Sequence, residues 1–338
     1  MSRSLAILGA TGLVGRTMLA VLEQRGFPAE HVRLLASARN AGRTMRFRRT
    51  DVVVEPVGPD SFQGIDIALF AVENAIAQEW VGPARAAGAV VIDNSSAFRY
   101  DPEVPLVVPE VNGHLLAARP TLVANPNCST APVTLALAPL LREATLQRVM
   151  VATYQSVSGA GSEALDALDE GLRAGLEGPV PPREGGLPPF AFNVLPQIDR
   201  FESNGYTREE MKVVWETRKI LGLPELPVSC TAVRVPVRVG HSAVVHASFD
   251  RPIAPERARE LWAGFPGLEV VDDPEHLRYP TPLAVAGRDP VLIGRARPDL
   301  ADPNGLVFFC ASDNLRKGAA LNAVQIAEHW LAQGGGGR

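Results

Sequence analysis

Apolar residues open the chain as a short unbroken run, Leu5-Ala-Ile-Leu, and then recur at Val14, Met18, Val21 and Leu22 with helical spacing. A run apolar at every position suits a strand buried on both faces, and the periodic stretch over 14–24 predicts a helix packed on it. The same alternation continues: Val32-Arg-Leu-Leu-Ala36, 65–72 and 89–92 predict further strands, and 75–87 predicts another helix. Later in the chain the texture changes. Residues 228–239 and 306–311 read as apolar strands, 242–249 alternates as a half-buried strand does, and 178–189 is a loop rich in Pro and Gly. Ala319, Ala320, Ala323, Val324 and Ala327 give a last helix, near 317–332, a small-residue face.

Composition narrows the classes. A chain of 338 residues exceeds the usual size of one domain, and 46% hydrophobic with 21% charged residues excludes disorder as the main content. A net charge of -4 leaves no electrostatic footprint for nucleic acid. Residues 4–15 are broken by Gly9, Gly12 and Gly15 and followed by no cleavage pattern, and no apolar run elsewhere spans a membrane, so a soluble cytoplasmic protein is expected. Cys128, Cys230 and Cys310 are too few and too far apart for a disulfide framework or a metal site. The basic residues are thirty arginines and only three lysines, Lys212, Lys219 and Lys317.

The chemistry starts at Gly9-Ala-Thr-Gly12-Leu-Val-Gly15, between the first strand and the first helix. Glycines there clear space for a pyrophosphate and aim backbone N–H groups and a helix dipole at it, so Gly9, Thr11, Gly12, Leu13, Val14 and Gly15 predict a dinucleotide site. At the end of the second strand, where NAD enzymes place Asp or Glu, stands Ser37-Ala-Arg39-Asn40. A hydroxyl and a guanidinium suit a ribose 2′-phosphate, so NADP is the expected cofactor. Arg99, after Asp93-Asn-Ser-Ser-Ala-Phe, follows a strand end and is a candidate for anion binding.

Asn125-Pro-Asn127-Cys128-Ser129-Thr joins a strand to a helix expected to reach about Leu141, with Asn127 or Ser129 as its cap. Cys128 is thereby placed at a helix N-terminus, where a thiolate is stabilised, whereas Cys230 and Cys310 sit in apolar strands and read as inert. Of six histidines, His241 stands out as the acid/base candidate, because Arg234-Val-Pro-Val-Arg-Val-Gly-His241 carries it at a strand end together with Arg234.

These motifs, with Gln155-Ser-Val-Ser-Gly159, Glu216-Thr-Arg-Lys219-Ile and Asp313-Asn314-Leu-Arg-Lys-Gly, run in order along the whole chain and resemble the aspartate-β-semialdehyde dehydrogenase family. The related N-acetyl-γ-glutamyl-phosphate reductases, the alternative enzyme reading, usually have glycine before the cysteine and an aromatic after it, where this chain has Asn127 and Ser129. A catalytically silent NADP-binding paralogue is the non-enzyme alternative.

The resemblance implies an α/β fold on the glyceraldehyde-3-phosphate-dehydrogenase-like plan. A Rossmann-type NADP-binding domain would comprise 1–128 plus 313–333, an α+β catalytic and dimerisation domain 129–312, and a flexible tail 334–338. It implies a homodimer, without metal, that reduces 4-phospho-L-aspartate to L-aspartate 4-semialdehyde, reversibly, in the biosynthesis of lysine, threonine, methionine and diaminopimelate. By the same resemblance Cys128 carries the acyl group, His241 is the acid/base, and Gln155 and Asn127 orient the acyl group and its oxyanion. Arg234 would take the α-carboxylate, Glu216 the ammonium, and Arg99 with Lys219 the phosphoryl oxygens. Ser158, Gly159 and Asn314 would approach the nicotinamide. Among the lysines, Lys219 is thus assigned to the site, and Lys212 and Lys317 are left as ordinary cations.

Overall fold

The structure, a computed structural model, describes residues 3–334; residues 335–338 of the expected tail lie outside the described residues. The chain divides into two compact units: the stretch up to Asn127 together with that from Ala319, and Cys128–Gly318. The return to the first unit therefore comes at 319, six residues later than the 313 expected from sequence.

The first unit is a seven-stranded sheet in the order β3-β4-β2-β1-β5-β6-β7. Its strands are β1 (Ser4–Leu8), β2 (His31–Ala36), β3 (Thr44–Phe47), β4 (Thr50–Pro56), β5 (Ile67–Phe70), β6 (Val90–Asp93) and β7 (Leu122–Ala124). All pairings are parallel except β3 with β4. Helices α1 (Leu13–Gln24) and α2 (Asn74–Ala86) and the short α3 (Pro109–Asn112) supply crossovers. Leu5, Ile7, Leu34, Ile67, Leu69 and Ile92 from the strands share one core with Met18, Val21 and Leu22 of α1. The β3–β4 hairpin was not visible in the hydrophobic pattern, because Arg46, Arg48, Arg49 and Asp51 crowd an edge whose side chains face water.

The order of strands reverses between β1 and β5, and in an open parallel sheet that crevice, at the carboxyl ends, is where a ligand lies. Beside it, Asn125 at the end of β7 is held from two directions: its Nδ2 donates to Asn94 Oδ1 (2.8 Å), and Asn322 Nδ2 donates to its Oδ1 (2.7 Å). That buried amide ladder fixes the chain two residues before Asn127.

The second unit carries a six-stranded mixed sheet in the order β11-β12-β13-β10-β8-β9. Its strands are β8 (Leu146–Gln155), β9 (Val228–Arg234), β10 (His241–Phe249), β11 (Leu268–Val270), β12 (Val291–Pro298) and β13 (Gly305–Ser312). The helices are α4 (Thr130–Leu137), α5 (Ser162–Glu177), α6 (Arg208–Leu221), α7 (Pro255–Ala263) and the short α8 (Pro282–Val285). The strand expected over 228–239 stops at Arg234, since Pro236 has no N–H to offer a ladder. The helix expected to run from Cys128 to about Leu141 ends at Leu137, and Pro139 introduces one separate 3₁₀ turn, Leu140–Arg142. The last helix opens as a π-turn, Arg316–Ala320, before α9 (Leu321–Ala332) returns to the first unit.

Candidate active site

In the first unit the glycine turn has the shape a dinucleotide needs. Gly9 stands at the β1–β5 switch with φ +86°, and a Cβ there would lie 2.2 Å from the carbonyl oxygen of Ala71, the residue that follows β5. A Cβ at Gly15 would lie 2.2 Å from the Gly9 oxygen, so helix and turn are packed backbone to backbone. Gly12 is the N-cap of α1 and offers no capping side chain, which directs the α1 amides outward, an arrangement suited to a pyrophosphate. Ser37, Arg39 and Asn40 form a 3₁₀ turn directly after β2, and Arg39 is exposed with no carboxylate at that strand end. Arg99 is buried in this unit, its Nη2 donating to the Asn94 carbonyl at 2.6 Å. Burial raises the Asp93 carboxyl above its usual range, against the Ser95 hydroxyl and N–H and the nearby Arg99.

The second unit holds the thiol. Cys128 is half-buried immediately before Ser129, the N-cap of α4. Ser129 does not cap that helix in the way expected: it is itself helical and makes no side-chain cap. A different contact fixes the cysteine. A Cβ added to Gly318 would sit 2.9 Å from Cys128 Cβ and 3.0 Å from its carbonyl oxygen, so the π-turn rests directly on the backbone of Cys128.

Around this thiol, β8, β9 and β10 end together. Gln155 closes β8, Arg234 closes β9 in register with it, and His241 opens β10. Arg234 Nη1 donates to the Ser156 carbonyl at 2.7 Å, and its charge interacts with Cys128 and Glu209. Burial lowers the Arg234 pKa, and the neighbouring Arg183 adds to that, whereas Cys128 and Glu209 oppose it. A Cβ at Gly159 would come within 3.0 Å of Arg234 Nη1 and 3.2 Å of His241 Nε2, so the 3₁₀ turn Val157–Ala160 lies flat on both. Ser129 and Pro132, at the start of α4, line one small cavity with His241 and Ser312.

His241 is 2% exposed, and its pKa is held well below 6.5, first by burial and then by the Arg234 charge. It is therefore a neutral imidazole near pH 7, the form a general base requires. Its Nδ1 lies 3.0 Å from the Ser156 N–H and 2.9 Å from Ser156 Oγ.

Helix α6 carries two Glu–Lys pairs at i,i+3 spacing, Glu209 with Lys212 and Glu216 with Lys219. It starts in a full capping box, Thr207 with Glu210, and Glu210 Oε1 also accepts from the Ala232 N–H of β9. Glu209, one residue earlier, turns to the site instead. Gln155 Nε2 donates to Glu209 Oε1 (3.1 Å), and Lys212 Nζ donates to Glu209 Oε2 (3.2 Å) and Asp199 Oδ2 (2.9 Å). Burial alone would lower the Lys212 pKa, but Glu209 and Asp199 hold it above the ordinary value. Glu216 and Lys219, expected at the ammonium and the phosphoryl oxygens, lie seven residues further on in the same helix, about 10 Å along it, with Glu216 fully buried. Glu209 and Lys212 are a second Glu–Lys pair at the same spacing, linked by hydrogen bonds to Gln155.

Asn314, expected at the nicotinamide, is the hub of a buried cluster: its Oδ1 accepts from Gly240 N–H (3.0 Å), Ser156 Oγ (3.0 Å) and Ser158 Oγ (3.2 Å). Lys317, like Lys212 left aside by the sequence reading, is fully buried. Among the described residues no group of three or more His, Cys, Asp or Glu could hold a metal, and no helix is long and apolar enough to cross a membrane.

A doubly wound nucleotide domain followed by a mixed-sheet domain with a helix-terminal cysteine and a buried histidine defines the semialdehyde dehydrogenase class. Its family models match here as the NAD binding domain over residues 4–119 and the dimerisation domain over residues 137–317. The chain belongs to the aspartate-semialdehyde dehydrogenase family. It is 46% identical over 338 residues to the aspartate-semialdehyde dehydrogenase of Aquifex aeolicus, covering 99% of each chain, and 46% identical to that of Legionella pneumophila, covering 97% of this chain and 96% of the other. The crystal structure of Vibrio cholerae aspartate semialdehyde dehydrogenase II complexed with ASA is similar with a TM-score of 0.94 at 43% identity, covering 98% of this chain and 99% of that one.

Proposed function

We propose that the chain interconverts 4-phospho-L-aspartate and L-aspartate 4-semialdehyde through an acyl thioester on Cys128, with NADP as the preferred nicotinamide cofactor. The observation that carries this is the convergence, within one unit, of Cys128 with Arg234, His241 and the Gln155–Glu209–Lys212 chain. In the reductive direction the Cys128 thiolate attacks the acyl carbon and phosphate leaves with the bonding pair of the acyl C–O bond. NADPH, when bound, supplies hydride to the thioester carbon. Collapse of the tetrahedral oxyanion expels the thiolate and frees the aldehyde, and His241 exchanges a proton with the sulfur or the oxygen. Two easier displacements thus replace one difficult one. Backbone N–H groups at the start of α4, with Gln155 and the Asn127 amide, orient the acyl group and its oxyanion.

For recognition, Arg234 offers a planar fork to the α-carboxylate. Glu216 takes the α-ammonium and Lys219 the phosphoryl oxygens, Arg99 contributes a second phosphoryl contact, and Glu209, held by Lys212, steadies the Gln155 amide. The glycine turn from Gly9 to Gly15, with its free α1 amides and the cradle a Cβ would fill, fits a dinucleotide. Ser37, Arg39 and Asn40 take the 2′-phosphate, and Ser158 and Gly159 meet the nicotinamide, with Asn314 holding Ser158 in place. A homodimer forms through the face of the six-stranded sheet that presents Met150, Tyr154 and Phe309. Met150 and Tyr154 are about two-fifths exposed, and Tyr154 stacks with Phe309 at 6.4 Å.

Initial rates of NADP reduction with aspartate semialdehyde and phosphate test the reaction. Phosphate-dependent NADPH formation is expected, and its absence with folded protein sinks the assignment. Arg39→Ala should narrow the kcat/KM preference for NADP over NAD.

A further inference from the structure

The Pro- and Gly-rich loop that follows α5 is packed against the second unit along its return. Gly171 and Gly175 stand one turn apart on α5 and make room for it: a Cβ at Gly171 would lie 3.0 Å from Ala191 Cβ, and one at Gly175 2.5 Å from the Phe192 ring. Leu195 then exchanges both backbone hydrogen bonds with Arg234, each 2.9 Å, which joins the returning chain to the end of β9. Arg183 belongs to this loop. Its N–H donates to the Leu187 carbonyl at 2.8 Å and its Nε to the Pro188 carbonyl at 2.6 Å, and its guanidinium carbon lies 3.9 Å from the centroid of the buried Phe190 ring. The ring face attracts the cation without neutralising it.

These contacts leave the Nη1 and Nη2 donors of Arg183 with no hydrogen bond among the described residues. Arg234 is complementary. Its Nη1 is committed to the Ser156 carbonyl, whereas Nε and Nη2, the side-on pair that a carboxylate grips through two parallel bonds, have no partner among the described residues. Neither guanidinium forms an ion pair among those residues, and Glu209, whose charge acts on Arg234, has its oxygens engaged by Gln155 and Lys212. The two arginines do act on each other: burial lowers the pKa of both, and the Arg183 charge adds to the lowering at Arg234. Like charges held together by the fold repel, and an anion that touches both replaces repulsion by attraction. A carboxylate, with two oxygens and about four lone-pair directions, has room for both.

We propose that Arg183 is a second substrate-binding arginine, which shares the substrate α-carboxylate with Arg234: Arg234 grips it through Nε and Nη2, and Arg183 through Nη1 and Nη2. The inference rests on Arg234 being the carboxylate residue of the proposed reaction. One partner of the carboxylate is thereby fixed in the sheet, at the end of β9, and the other is carried by the loop over 178–189. The pair also sets specificity. A substrate without the α-carboxylate leaves two neighbouring guanidinium groups without a counter-charge, so it is rejected more strongly than a single arginine would reject it.

The test compares Arg183→Gln, Arg183→Ala, Arg183→Lys and Arg234→Ala by initial rates. Arg183→Gln keeps a long side chain with a donor and loses the charge; Arg183→Ala loses both. Each should raise KM for aspartate semialdehyde by roughly tenfold, the low end for a charged hydrogen bond, with KM for phosphate within about twofold of the parent and kcat falling less than KM rises. Arg183→Lys should recover part of the loss, since an ammonium restores the charge without the planar donor pair. A KM for the semialdehyde within about twofold of the parent in both Arg183→Gln and Arg183→Ala overturns the proposal. So does a rise in Arg183→Ala alone, because loop packing rather than charge is then responsible, and so do equal rises in both KM values, which report a general loosening of the site. If Arg234→Ala leaves KM for the semialdehyde unchanged, the carboxylate reading itself has failed; if it raises KM while the Arg183 variants are parental, only the role of Arg183 has. Inactivation of Cys128 gives a readout without turnover. Iodoacetate carries a carboxylate and iodoacetamide does not, so the ratio of their second-order rate constants at low ionic strength should fall by about threefold or more in Arg183→Gln. An unchanged ratio overturns the proposal.

Discussion

Gln155 and Glu209 meet side chain to side chain, the Gln155 amide donating to the carboxylate at 3.1 Å, and this one bond ties the end of β8 to the first turn of α6. Because Lys212 closes on the other carboxylate oxygen, whatever Gln155 orients lies beside both a negative and a positive group.

Glu209→Gln should therefore raise KM for aspartate semialdehyde by roughly 10–100-fold, the value of about 1.5–3 kcal/mol for a charged hydrogen bond. Lys212→Ala should act in the same direction, by releasing Glu209. Glu216→Gln should raise KM for aspartate semialdehyde and Lys219→Ala KM for phosphate, each by roughly 10–100-fold. Initial-rate kinetics over both substrates decide, and unchanged constants in the Glu216 and Lys219 variants would move the substrate contacts to Glu209 and Lys212.

Thiol labelling separates the cysteines. Burial pushes the Cys310 thiol up to about 12, and burial with the nearby Glu209 and Glu210 carboxylates pushes Cys230 up as well. Iodoacetamide at neutral pH should add one carbamidomethyl group per folded chain, at Cys128, with loss of activity. Mass spectrometry of Cys128→Ala should show none; labelling of Cys230 or Cys310 at a comparable rate would contradict their burial.

Acid should weaken the fold partly through His241. Its pKa is lowered in the folded chain, by burial and then Arg234, so between that value and about 6.5 the unfolded chain binds a proton that the native one refuses. Stability contributed by the neutral ring is present above about pH 6.5 and is lost as pH falls below it. Thermal melts should show Tm dropping more steeply with acid in the parent than in His241→Asn. Equal slopes would mean that His241 titrates normally.

Gly318→Ala is expected to cut kcat by at least about tenfold, since a displacement of the order of 1 Å at a reacting group costs that much or more. Its methyl would meet Cys128 Cβ and carbonyl oxygen at 2.9–3.0 Å. Cofactor affinity, measured by fluorescence titration with NADPH, checks that the first unit is intact; a normal kcat would show that the π-turn yields instead.

Much of the fold was legible because each early strand is apolar throughout and each helix after it is periodic: the strand over Ser4–Leu8 and the helix over Leu13–Gln24 fall within a residue of their expected bounds. Cys128 was legible for a related reason, since a cysteine between a strand and a helix has one place to be. The Gln155–Glu209–Lys212 chain was not. Glu209 and Lys212 share their i,i+3 spacing with Glu216 and Lys219, and the two pairs stand two helical turns apart on one face. Periodicity does not say which residues of equal phase meet the end of β8; the bond to Gln155 does so for Glu209. The Asn314 cluster was hidden for another reason, as its partners Ser156, Ser158 and Gly240 come from segments far apart in sequence.

The capping box at Thr207 also acts as a clock setting for α6. Of two adjacent glutamates, it engages Glu210 at the helix start and in doing so leaves Glu209 about 100° around the axis, facing Gln155. One residue inserted between Thr207 and Glu209 would advance every later side chain by that angle and turn Glu209 and Lys212 away together, with the helix itself intact. The link between α6 and the end of β8 is thus indexed to where a helix begins, and length changes in the loop before Thr207 should be tolerated where a single insertion just after it is not.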